Sequence, residues 1–132
     1  LDIYEDGEET RDFVYIEDAV DATILGMEKE EANGNIFNVG SGVSTRVLDV
    51  ANTLKRLYNS EINITVSGKF RLGDIRHNFA DLSKSKDILG FTPKYNFERG
   101  ITEFVNWVKT QEVMEDKYEK SIQQLKNKGL IK

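Results

Sequence analysis

Short β-branched runs alternate with stretches of helical periodicity along almost the whole chain, and this alternation limits the folds open to it. Ile36-Phe37-Asn38-Val39 and Ile62 to Val66 have the composition of strands. Around them, apolar residues recur at three- and four-residue intervals, the spacing of a helix with one apolar face. Strands this short, interleaved with one-faced helices, pack in layers. The expected class is α/β.

Local signals set the expected elements. Leu1 to Tyr4 and Arg11 to Ile16 read as two strands joined by a turn at Asp6-Gly7, where glycine takes positive φ without cost. Asp18 is expected to cap a helix to about Glu30, with Val20, Ile24 and Met27 on one stripe and Asn33-Gly34 ending the unit. Gly40-Ser41-Gly42 turns the chain into a second helix, with Ser44 as N-cap and an apolar face of Val47, Val50, Ala51, Leu54 and Leu57. A polar loop holds Arg71, Asp74 and Arg76, and a brief extended piece follows at Asn78 to Ala80. Asp81 is expected to cap a short helix ending at Leu89, with Gly90 just past it and Pro93, the only proline, beyond. Ile101, Phe104, Val105 and Val108 mark an amphipathic helix from Phe97. Met114, Tyr118, Ile122 and Leu125 mark a last one whose other faces are charged.

Composition removes several function classes. At 132 residues the chain is one domain or part of one, and 39% hydrophobic content supports a core with little to spare. It contains no cysteine, which excludes disulfides, thiolate catalysis and Cys-ligated zinc. His77 is the only histidine, so no metal site is expected. No apolar stretch approaches the roughly 20 residues that span a bilayer, and no signal-peptide pattern opens the chain. A soluble, cytoplasmic protein without a membrane partner is expected. The net charge of −5 argues against nucleic acid, whose binders show a basic face. It leaves room for a small anion, because net charge is screened beyond about 8–10 Å and local arginines decide. The chain opens at Leu1, without Met and inside an expected strand, so it reads as a fragment.

Two arginine segments carry the chemistry. Arg11-Asp12-Phe13-Val14-Tyr15-Ile16-Glu17-Asp18 sets a guanidinium at the mouth of an apolar run, and Arg71-Leu72-Gly73-Asp74-Ile75-Arg76 supplies two more. Guanidinium groups converging from distant sequence suit a phosphate or carboxylate held by planar, bidentate hydrogen bonds. The plainer alternative pairs Arg11 with Glu8, Glu9 or Asp12 and leaves the second segment a solvated loop. Tyr4, beside the first turn, offers a ring that stacks on a base or simply packs. Gly40-Ser41-Gly42 has Thr45 where a dinucleotide fingerprint needs its third glycine, so a tight strand-to-helix turn is the preferred reading. His77 has no evident catalytic partner and reads as structural, and the Asn63-Ile64-Thr65 sequon as chance. The terminal helix from Val113 reads as a charged surface helix.

In order, Thr10 to Asp18 and Phe37-Asn38-Val39-Gly40-Ser41-Gly42 resemble the C-terminal half of the nucleotide-sugar epimerase/dehydratase family, the extended branch of the short-chain dehydrogenase/reductases. Gly73-Asp74-Ile75-Arg76-His77, Ala80-Asp81-Leu82-Ser83-Lys84, Leu89-Gly90-Phe91-Thr92-Pro93 and the helix through Gly100 and Trp107 continue the series. The resemblance implies the C-terminal substrate-binding lobe with the edge of the Rossmann sheet, the N-terminal NAD-binding part being absent. It implies a substrate-binding part at residues 1–111 and an amphipathic helical extension at 112–132.

The resemblance also implies roles. Tyr4 stands where the family contacts the nucleotide base, Arg11 and Arg71 resemble the pair gripping the diphosphate, and Asp74 resembles the acid that accepts ribose hydroxyls. Arg76 is a further candidate for the phosphates or the sugar. The implied ligand is a UDP- or dTDP-sugar, the implied cofactor NAD, and the preferred reaction of the parent enzyme 4-epimerisation in carbohydrate metabolism. Dehydratase, decarboxylase or reductase activity, or a non-catalytic binding module, are the alternatives. The parent is expected to be a homodimer. No Tyr is followed four residues later by Lys, and no complete Gly-rich fingerprint is present, so this chain is expected to hold no catalytic residue and to be inactive alone.

Overall fold

The computed structural model describes residues 1–112 and 115–131. Helix α1 (Ile16–Glu28) starts after Tyr15, whose side chain makes no capping bond. Asp18, the expected cap, instead lies in the first turn, 1% exposed, with its carboxylate turned into the protein. There it accepts the Lys94 amide at 2.9 Å and the Tyr95 amide at 3.1 Å. A carboxylate is favoured anywhere in the positive first turn of a helix, and these part-buried amides need an acceptor.

That anchorage fixes the rotation of α1. Asp18, Ala22 and Leu25 form one stripe and face inward, where Ala22 meets Ala32, Leu89 and Phe91 in the core, flanked by Leu25, Phe37, Leu82 and Ile88. Val20, Ile24 and Met27 lie on the opposite side and are 48%, 44% and 81% exposed. The apolar stripe of the sequence is therefore not the buried one. The helix ends at Glu28 rather than Glu30, and a 3₁₀ turn at Glu30–Ala32 follows.

The two N-terminal strands do not pair with each other. β1 (Asp2–Ile3) runs parallel to β4 (Thr65–Val66), with Asp2 opposite Thr65. β2 (Thr10–Arg11) runs antiparallel to β3 (Thr45–Arg46), with Arg11 opposite Thr45. The turn forms, with the Gly7 amide donating to the Tyr4 carbonyl at 3.2 Å, but the chain leaving it is claimed by helix α2 (Val47–Leu57). The first amides of any helix lack partners within it. Val47 donates to the Glu9 carbonyl at 2.8 Å and Leu48 to the Gly7 carbonyl at 3.3 Å. With these donors satisfied no side-chain cap is needed; Arg46, not Ser44, holds the N-cap position.

Only Thr65–Val66 of the expected Ile62 to Val66 strand joins a ladder, and Ile36 to Val39 joins none among the described residues. Ile36 is 85% exposed, with no strand beside it to receive its backbone. Asp81 does open the next helical turn, accepting the Ser83 amide at 2.9 Å, and a wide π-type turn runs Ser85–Leu89 before Gly90. Helix α3 (Phe97–Val108) is capped by Asn96, whose side chain accepts the Arg99 amide at 2.9 Å. It packs on α2, with Val105 and Ala51 buried. Helix α4 (Tyr118–Asn127) carries Ile122 and Leu125 on its half-buried side; Met114 and Val113 lie outside the described residues. No described helix is long and apolar enough to cross a membrane.

Candidate functional site

The loop carrying Arg71, Asp74 and Arg76 is laid along β2 by backbone bonds. The Thr10 amide donates to the Arg76 carbonyl at 3.0 Å, and the Asn78 amide to the Thr10 carbonyl at 3.1 Å. Thr10 Oγ1 and His77 Nδ1 lie 3.0 Å apart, which gives His77 the structural role expected of it. Within the loop the Asp74 amide donates to the Arg71 carbonyl at 3.3 Å, closing a turn that needs Gly73 at φ 82°.

This arrangement joins the sequence-predicted residues. Arg11 Nη2 donates to Asp74 Oδ1 at 2.8 Å, while its Nη1 reaches the carbonyls of Thr10 at 2.8 Å and Arg76 at 3.1 Å. The Arg71 guanidinium lies over the Tyr4 ring, 5.3 Å from its centroid, a cation–π contact. Arg71 makes no ion pair among the described residues. Tyr4, Arg11, Arg71 and Asp74 all line one cleft of about 300 Å³. The expected convergence of Arg11 and Arg71 is therefore present in the geometry.

Arg76 is placed differently. Its guanidinium is taken up by Glu5, which itself lines the 300 Å³ cleft, at 2.8 Å and by Asp6 at 2.6 Å; Arg76 borders a neighbouring cleft of about 530 Å³ that Arg71 and Asp74 also line. The Asp6 bond, helped by the charge of Asp6 and the Glu5 bond, outweighs the lowering effect of burial and holds Arg76 above its ordinary pKa; the Arg76 bond in turn holds Asp6 below the usual carboxylate range.

Sequence reasoning missed three residues here. Glu9 lines the 300 Å³ cleft and is 6% exposed, and its Oε1 has no partner among the described residues. The period of two along an extended segment, which sets residues 9 and 11 on one side, was the signal for it. Tyr118 of α4 lines the same cleft, far from the other residues in sequence, and no local pattern announces it. Asp12 is the third. Its Oδ1 accepts the Ser41 amide and hydroxyl, each at 2.6 Å, and its Oδ2 accepts the amides of Gly42 at 2.9 Å and Ala80 at 3.1 Å. Burial pushes this carboxyl up, but the bonds from Ser41, Ala80 and Gly42 outweigh it and leave the pKa lowered.

The Asp12 contacts also explain the Gly-Ser-Gly turn. A Cβ on Gly40 would overlap the Asp12 carboxylate and come within 2.7 Å of the Ala80 Cβ. A dinucleotide pyrophosphate needs free amides in such a turn. Here the Ser41 and Gly42 amides are occupied by Asp12, so this turn does not fit NAD. Among the described residues no group of three or more His, Cys, Asp or Glu side chains could hold a metal ion.

The fold is that of a lobe of the α/β dehydrogenase/reductase class. The UDP-glucose 4-epimerase of Thermotoga maritima, solved with UDP-glucose, matches it with a TM-score of 0.76 and 34% identity over 83% of this chain and 34% of its own. The dTDP-glucose 4,6-dehydratase of Bacillus anthracis, solved with NAD, gives 0.74 at 25% identity over 85% of this chain and 35% of its own. In sequence, the dTDP-L-rhamnose 4-epimerase of Burkholderia thailandensis is 41% identical over 82% of this chain and 30% of its own length. The family model described as GDP-mannose 4,6 dehydratase matches residues 2–104. The chain belongs to this family, the nucleotide-sugar epimerases and dehydratases of the extended short-chain dehydrogenase/reductases. It spans about a third of the length of these relatives. Relatives include epimerases, dehydratases and decarboxylases, and NAD is bound in several solved ones.

Proposed function

We propose that the chain is the nucleotide-sugar-binding portion of an NAD-dependent 4-epimerase acting on a UDP- or dTDP-sugar. The observation that carries this reading is the single cleft in which Arg11, Arg71, Tyr4 and Asp74 meet. Arg11 and Arg71 hold the diphosphate, Asp74 accepts the ribose hydroxyls and Tyr4 faces the base. Arg76 supports the reading indirectly, bracing the turn at Glu5 and Asp6 behind these residues. Charge-assisted contacts of this kind contribute about 1.5–3 kcal/mol each, so two of them anchor a nucleotide whatever sugar it carries.

Epimerisation is preferred because the 41% identical relative and the Thermotoga structure are both 4-epimerases. The family model's own description favours a dehydratase instead. In either reaction NAD and the proton-transfer pair belong to other parts of the whole enzyme, and this chain supplies binding. A boundary near residue 111, a cytoplasmic location and a homodimeric whole protein complete the proposal.

Titration calorimetry with UDP and dTDP tests it, on the chain and on the chain fused behind the NAD-binding half of a family member. Binding that Arg11→Ala weakens is the expected result. Failure of both proteins to bind either nucleotide overturns the proposal.

A further inference from the structure

The family match ends at residue 104, yet the segment beyond it is built into the cleft. Tyr118, the first residue of α4, shares the cleft wall with Tyr4, Arg11 and Arg71. Past α4 the chain returns to the site. The Leu72 amide donates to the Leu130 carbonyl at 3.0 Å, and Arg71 and Ile131 form an antiparallel bridge. The end of the segment thus runs along the loop that supplies Arg71 and Asp74.

The Glu9 side chain points to what such a cleft accepts. Buried polar atoms are almost always paired, by protein, water or ligand. Glu9 Oε1 is buried without a partner among the described residues, in the same cleft as two guanidinium groups and two phenol rings. A cation pair suits a diphosphate, an unsatisfied acceptor suits an N–H or O–H donor, and rings suit the flat face of a base.

Resting on the nucleotide-sugar reading above, we propose that the C-terminal segment is a wall of the nucleotide site, with Tyr118 supplying a second ring, beside Tyr4, on which the base packs. The segment then contributes to choosing the nucleotide as well as to folding. Tyr118 is 51% exposed, so its replacement leaves the core intact.

The test compares UDP with inorganic pyrophosphate, which carries the charge and lacks the base, by calorimetry on the chain and its Tyr118→Ala and Tyr118→Phe variants. Tyr118→Ala is expected to weaken UDP about tenfold, the effect of losing one base–ring stack. Tyr118→Phe, which keeps the ring, should stay within about twofold of the parent on the same ground. Pyrophosphate affinity should be equal in all three. Equal losses for UDP and pyrophosphate would show that the segment only positions the Arg71 loop, and would overturn the proposal. Unchanged or tightened UDP binding in Tyr118→Ala overturns it too. If neither the parent chain nor its fusion to the NAD-binding half of a family member binds either probe, the nucleotide-sugar reading itself fails, a separate result.

Discussion

Arg11 Nη2 lies 2.8 Å from Asp74 Oδ1, joining two residues 63 positions apart, and the same guanidinium donates to the carbonyls of Thr10 and Arg76. One side chain therefore both secures the loop and presents charge to the cleft. Arg11→Ala is expected to weaken UDP binding by about 2 kcal/mol, roughly thirtyfold, in calorimetry. Arg11→Lys keeps the charge and loses the planar fork, so it falls between. Lower stability with unchanged UDP affinity would assign Arg11 to folding alone.

Asp12 should make stability depend on acid. Its bonds from Ser41, Ala80 and Gly42 outweigh burial and lower its pKa in the folded protein. The stabilisation is thus present above the usual aspartate range and is lost as pH falls through the depressed folded value. Asp12→Asn is expected to cost about 2 kcal/mol at pH 7, with the gap to the parent narrowing below about pH 4. Urea midpoints at the two extremes measure it; a gap that stays constant contradicts the assignment.

Asp18→Ala removes the shared acceptor of the Lys94 and Tyr95 amides inside a site 1% exposed. A loss of about 1–3 kcal/mol is expected, because two part-buried donors lose their acceptor. Hydrogen exchange at those two amides should accelerate more than exchange within α3.

Two glycines should respond with opposite signs. Gly40→Ala sets a methyl against Asp12 and Ala80 and is expected to destabilise by about 2 kcal/mol or more. Gly26, inside α1, has nothing within 4 Å of the place its Cβ would take. Gly26→Ala is expected to stabilise by about 0.5–1 kcal/mol, through helix propensity and a less flexible unfolded chain. Thermal melts of the two variants settle both signs.

Helices α2 and α3 and the Gly90 turn were legible because each depends on residues close in sequence. The errors came where a distant group supplied the missing partner. Asp18 looks like a cap until the Lys94 and Tyr95 amides arrive, and Ser44 until the Gly7 and Glu9 carbonyls do. The apolar stripe Val20, Ile24, Met27 misled for the same reason: a buried carboxylate, not hydrophobicity, set the rotation of α1. Arg11, Arg71, Tyr4 and Asp74, which the resemblance singles out, line one cleft in the fold. The resemblance leaves out Tyr118, since only three-dimensional closure brings it there.

Arg11 and Asp12 are neighbours in the chain whose side chains serve opposite sides, one the Asp74 loop and the other the Gly40 turn. Their facing is set by counting, because consecutive side chains of an extended backbone alternate. Inserting a single residue ahead of them would exchange their two sides, aiming the carboxylate at the cleft and the guanidinium at Ser41. The spacing of this short stretch is thus held more tightly than the identity of most of its residues, and reading-frame-preserving insertions should be least tolerated where the chain looks, by composition, like an ordinary charged strand end.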